Sequence, residues 1–182
     1  YVREDQESSS SAMLSVIDEY LYCDANARAA SAYLDAWWIL GLDACRERAK
    51  EVLELMWDTL RGPDGAMHHY WHEEAQVPGL LVDAAETGLA LLHAYSMLHE
   101  DIYLRRAETL AEGITLRHRD GDGGFHDISV SGPASLSRPM KVLAQNARLA
   151  AFFVKLADVS GEESHREQAV WALKSFPNAH RT

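Results

Sequence analysis

Pro63-Asp64-Gly65-Ala66-Met67-His68 returns as Gly121-Asp122-Gly123-Gly124-Phe125-His126, each residue 58 positions further along. The segment before each copy repeats at the same displacement: Ala49, Val52, Leu53 and Met56 fall on Ala107, Leu110, Ala111 and Ile114. A third copy keeps the pattern at Ala169, Ala172, Leu173 and Phe176, with the offset grown to 62. A period of this length marks a repeated supersecondary unit whose members bury their apolar faces on one another. The unit here is a helical hairpin closed by a Gly-rich loop that carries a histidine.

Working outward, apolar spacing predicts six helices, over residues 25–40, 44–61, 82–99, 102–118, 142–158 and 164–176. Asp24 and Asp43 stand where N-caps belong, Gly41 where the first helix stops, and Ser160 to Glu163 in a capping-box pattern. Pro177 ends the sixth helix. The first, third and fifth are rich in Ala, Leu and aromatics on most sides. The second, fourth and sixth carry charge along one face, as Arg46, Glu47, Lys50, Glu51 and Glu54 do. A helix apolar all round is buried on several sides, whereas an amphipathic one meets water. Their alternation therefore describes an inner row and an outer row. Connections within a hairpin are short, and those between hairpins, 61–81 and 119–141, are long. Antiparallel succession puts both long loops at one rim, where each inner helix begins. The fold expected is all-α, a partial α/α toroid of about three hairpins over residues 20–182, behind a polar segment at 1–19 that holds Ser8 to Ser11.

Composition narrows the function. A formal charge of −11 disfavours nucleic acid and anionic membrane as partners. No apolar run approaches the roughly 20 residues of a membrane span, and no signal peptide is visible, so a cytoplasmic location is expected. Cys23 and Cys45 match neither CxxC nor zinc spacing and read as buried free thiols. Gly121, Gly123 and Gly124 lack the preceding strand and the Lys-Ser/Thr of a phosphate loop. They suit tight turns instead.

Several motifs resemble those of a known family. Tyr22-Cys23-Asp24-Ala25-Asn26-Ala27 with Ala30 to Leu34 is similar to a "Y-x-D-x-N-A … A-x-L" helix opening, and Gly79-Leu80-Leu81-Val82-Asp83 to a second one. Asp120 to Phe125 resembles a "D-x-x-G-G-F" loop. Arg138-Pro139-Met140-Lys141 with Asn146 resembles the start of the last hairpin. In this order, over about residues 20–176, they resemble the C-terminal helical region of the spermatogenesis-associated, thioredoxin-domain family. That resemblance implies an α/α toroid related in architecture to six-hairpin glycosidases and N-acylglucosamine 2-epimerases. It implies also that this chain is part of a larger ring. Its partner surfaces would be the other half toroid, a thioredoxin-like domain or a second copy.

The richest cluster for chemistry is His68-His69-Tyr70-Trp71-His72-Glu73-Glu74. Histidine moves protons near neutral pH, and aromatic rings stack on sugar faces. One reading is an acid/base site in which His68 and its repeat mate His126 act with Asp83, while His69, Trp71, Glu86 and Arg138 bind a sugar or sugar derivative. A second is a metal site of His68, His72 and Glu73, and a third is a plain polar loop. Asp83, near a helix start lined by Leu80, Leu81 and Val82, reads either as a buried acid or as a hydrogen-bond hub. The expectation adopted is a carbohydrate-related rim site with no metal and no cofactor. A non-catalytic interaction or scaffold domain stands as the alternative.

Overall fold

A computed structural model describes residues 20–129 and 138–177. Helices α1 (Cys23–Leu40), α2 (Asp43–Leu60), α3 (Leu81–Leu98), α4 (Asp101–His118), α5 (Leu143–Ser160) and α6 (Glu163–Leu173) form three consecutive hairpins. Each helix packs on its hairpin mate, and α1, α3 and α5 pack side by side as an inner row. The chain is thus all-α in class, an arc of an α/α toroid, with α2, α4 and α6 outside. Buried residues of α2 (Ala49, Leu53, Met56, Leu60) and α4 (Tyr103, Ala107, Leu110, Ala111, Ile114) recur every three or four positions and form the inward stripe of each outer helix. Among the described residues, no helix is long and apolar enough to cross a membrane.

The three inner helices differ in what covers them. The central one, α3, is buried on almost every side, including Asp83, Glu86 and Thr87. Among the described residues it has an inner helix on both sides, whereas α1 and α5 each have one on a single side. Trp38 and Ile39 of α1 are accordingly 72% and 75% exposed. Of the pair Trp37-Trp38, only Trp37 packs against the core. Gly88 lets α3 and α5 approach closely: a Cβ there would lie 2.6 Å from the ring of Phe152.

The repeat is visible bond by bond. Gly62 N–H donates to Ala66 O at 2.8 Å, and 58 residues on Asp120 N–H donates to Gly124 O at 3.1 Å. Bridges Arg61–Met67 and Arg119–Phe125 stand in the same relation.

Local details depart from the expectations. Helix α1 starts at Cys23, so Asp24 is its second residue and not its cap; Tyr22 holds the cap position in extended backbone. A capping side chain must precede the helix it caps, and α2 likewise opens at Asp43 itself, behind Leu42. Helix α6 ends at Leu173, short of residue 176. Ser160 belongs to α5, and its Oγ accepts from Glu162 N–H at 3.2 Å. Cys23 is buried and Cys45 half-buried, both free. Residues 68–78, expected as loop, form β-structure.

Candidate functional site at the inner-helix rim

Strands β1 (Leu21–Tyr22), β2 (His68–His72) and β3 (Glu74–Pro78) make one antiparallel sheet in that order. The β2–β3 hairpin turns tightly at Glu73, whose φ is 61°. Its register pairs Tyr70 with Gln76 and His72 with Glu74, and β1 adds Tyr22 opposite Tyr70. Side chains alternate along a strand. His69 and Trp71 therefore share one face of β2, while His68, Tyr70 and His72 take the other. The ring of His72 stacks on Tyr20 at 4.4 Å, and Tyr22 and Tyr70 join the same aromatic group. This ribbon carries His69 to the N-terminal ends of α1 and α3.

There His69 meets Asp83. Its Nδ1 lies 3.1 Å from both Asp83 carboxylate oxygens. Asp83 is 0% exposed. Burial pushes its carboxyl up to about 6; His69 pulls it down by charge and hydrogen bond, while the Asp24 carboxylate adds to the rise. Asp24, His69 and Asp83 each offer one ligand-capable atom within 4.8 Å of the others, and among the described residues they form a group that could hold a metal ion. The alternative set of His68, His72 and Glu73 is not such a group. Behind Asp83, Cys23 Sγ lies 3.3 Å from Thr87 Oγ1, and burial holds the thiol well above its ordinary range. That thiol is inert.

Glu86, one turn further along α3, accepts two bonds from Arg148 of α5, from Nε and Nη2, both at 2.8 Å. Arg28 of α1 reaches the same Glu86 Oε1 at 4.0 Å and Asp24 Oδ2 at 2.7 Å. Charged groups from all three inner helices thus join beside the Asp24–His69–Asp83 cluster.

The other expected site residues lie elsewhere. His68 turns back, its Nδ1 on Leu60 O at 3.1 Å. His126 stands 3.7 Å from Asp120, which is also ion-paired with Lys141, and its own Nδ1 is buried without a hydrogen-bond partner among the described residues. That pairing with Lys141 holds the Asp120 carboxyl below its usual range. Trp71 is partly exposed on the His69 face of the ribbon. Arg138 is exposed, two residues before Met140, whose N–H bonds Asp127 Oδ1 at 2.6 Å. The structure therefore brings Asp83 and Glu86 near one another, with His69 on Asp83, and gives His68 and His126 separate partners. Sequence reasoning took Asp24 for a cap and passed over Arg28 and Arg148. Repeat arithmetic held the missing signal, since each is the sixth residue of its inner helix, as Glu86 is.

No protein-family profile matches the chain, and no curated protein matches it in sequence. Its fold, however, is shared with proteins of known structure. A glycoside hydrolase family 76 α-mannanase of Bacteroides thetaiotaomicron superposes with a TM-score of 0.73 at 16% identity, over 91% of this chain and 46% of that one. A sugar epimerase from a ruminal bacterium gives 0.71 at 17% identity, over 85% and 43%. Cellobiose 2-epimerase from Bacillus thermoamylovorans gives 0.72 at 13%, over 87% and 45%. The architecture is that of the α/α toroids to which glycosidases and sugar epimerases belong. This chain spans under half the length of each.

Proposed function

We propose that the rim cluster is a proton-transfer site for a carbohydrate, in a glycosidase- or epimerase-like α/α toroid. The observation that carries this reading is the His69–Asp83 pair. A fully buried carboxylate holds one imidazole nitrogen, which orients the ring and leaves Nε2 to exchange a proton with a bound hydroxyl or ring carbon. Asp24 supplies a second carboxylate within reach of the same space. Trp71 offers an apolar face for a sugar ring. Toroids of this architecture include sugar-processing enzymes, which supports the substrate class; fold by itself does not assign one. The motif resemblance to the spermatogenesis-associated, thioredoxin-domain family supports a place for this arc within a larger protein. The exposed Trp38, Ile39 and Leu40 favour a packing surface on the α1–α2 flank, against further hairpins, a thioredoxin-like domain or a second copy.

The test is saccharide binding followed by NMR of the histidine ring protons, over mono- and disaccharides at millimolar concentration. The His69 resonance is expected to shift with at least one sugar, and His69→Ala to weaken that binding at least 10-fold. Turnover by the complete ring is expected to fall at least 100-fold in Asp83→Asn. A wild-type chain that responds to no sugar in the panel rejects the proposal.

A further inference from the structure

Arg28, Glu86 and Arg148 occupy one register. Each is the sixth residue of its inner helix, counted from Cys23, Leu81 and Leu143. In a ring of repeated hairpins, equivalent positions point in equivalent directions. The outer helices cover the convex side of the inner row, so the solvent-facing heads of Arg28 and Arg148 lie on the concave wall. Glu86, between them, is covered: its side chain is 8% exposed, against 54% for Arg28 and 49% for Arg148. Both arginines reach the same Glu86 oxygen. What this belt presents to solvent is therefore guanidinium, in a chain whose formal charge is −11.

The arginines keep donors to spare. A guanidinium has five N–H groups in a planar fork. Arg148 spends two on Glu86, through Nε and Nη2. Arg28 makes one short bond, from Nη2 to Asp24. Such forks match the paired oxygens of a carboxylate or phosphate. A helix rises about 5 Å per turn, and Arg28 sits one turn from Asp24, so an anionic group on the belt would lie one pyranose ring away from the His69–Asp83 pair.

We propose that the rim site selects sugars bearing an anionic group, a uronate carboxylate or a sugar phosphate, and that Arg28 and Arg148 bind it. This rests on the carbohydrate reading above and adds the substrate class. Glu86 acts as the positioning residue that holds the Arg148 fork, as Asp24 does for that of Arg28.

Isothermal titration of the chain with D-glucuronate, glucose 6-phosphate, glucose and inorganic phosphate tests it. At least one anionic sugar is expected to bind 10-fold or more tighter than glucose. That preference should weaken in 0.5 M salt, while glucose binding stays unchanged. The two anionic arms distinguish carboxylate from phosphate, and inorganic phosphate separates recognition of a bare anion from recognition of an anionic sugar. Arg148→Met should remove at least 5-fold of the preference, read as the ratio of anionic-sugar to glucose affinity. Should that variant lose its helical circular dichroism, Arg148→Lys decides, since it keeps the charge beside Glu86 and loses the fork; a 3-fold or greater drop in the same ratio is expected. Glucose binding as tightly as both anionic sugars overturns this inference and leaves the carbohydrate reading intact, as does an unchanged preference in the arginine variants. Binding of inorganic phosphate as tight as that of both anionic sugars also overturns it. Binding of no sugar at all overturns both.

Discussion

The first Gly-rich loop makes its turn through Gly62 and Ala66 and then enters a β-hairpin that delivers His69 to Asp83. The second makes the same turn through Asp120 and Gly124 and is held at the next residue by Asn146. Asn146 Oδ1 accepts Phe125 N–H at 2.7 Å, and its Nδ2 donates to Phe125 O at 2.9 Å and Val142 O at 3.1 Å. The same pair of positions joins loop to helix end in each copy, with the roles exchanged. In the first copy the ring of His68 bonds the carbonyl of Leu60; in the second the ring of His118 bonds the carbonyl of His126, at 2.9 Å. One repeated nucleus has been specialised twice. The second copy anchors α4 to α5 through buried polar bonds, and the first spends its buried polar group, Asp83, on a side chain that remains partly open to solvent.

That difference predicts unequal costs. Asn146→Ala leaves the buried N–H and C=O of Phe125 without partners, and a loss of about 2–4 kcal/mol is expected. His68→Ala removes one bond from a half-buried ring and should cost about 1 kcal/mol. Urea unfolding of the two variants measures both. Equal costs would break the contrast between an anchoring loop and a presenting loop.

Acid should sharpen it next. Burial lowers the His118 imidazole from 6.5 to about 4, so it stays neutral in the folded chain. As pH falls from 6.5 to 4, the unfolded chain takes up a proton that the folded chain refuses, and stability is lost. The expected loss is about 3 kcal/mol. His118→Asn keeps a donor for the His126 carbonyl and cannot titrate, so its stability curve should lack this acid slope. A slope that persists in the variant would assign acid sensitivity to another group.

Asp83 contributes with the opposite sign. Its folded carboxyl titrates near 6, above the ordinary 3.8. As pH rises from 3.8 to 6 the unfolded chain releases its proton first, and the folded chain loses stability. Asp83→Asn should therefore stabilise the chain at pH 8 by about 1–2 kcal/mol, the gain being reduced by the lost pairing with His69. The gain should vanish below pH 4. Thermal melts of both proteins at pH 4 and pH 8 measure it, and a destabilised variant at pH 8 would show Asp83 to be a structural hub.

Much of this architecture is legible in the sequence because its causes are local or periodic. The three- and four-residue spacing of Ala49, Leu53 and Met56, the stop at Gly41 and the 58-residue echo of the loop suffice for helices, hairpins and the common rim. The β-hairpin escaped because His68 to Pro78 carries no clean alternation of apolar and polar residues and turns at Glu73 rather than at a glycine. The site residues were legible only in part. Asp83 stood out by its apolar neighbours. Which histidine serves it depends on strand parity, and a one-residue slip of β2 would aim the opposite set of side chains at α3.

The sequence by itself thus determined an all-α arc of repeated hairpins with its long loops on one rim, since propensity, capping and periodicity act over a few residues. Only the tertiary structure decided that His69 meets Asp83 and that Arg28 and Arg148 close on Glu86 from neighbouring helices. Those contacts depend on strand register and helix rotation, which are set by how the whole core packs.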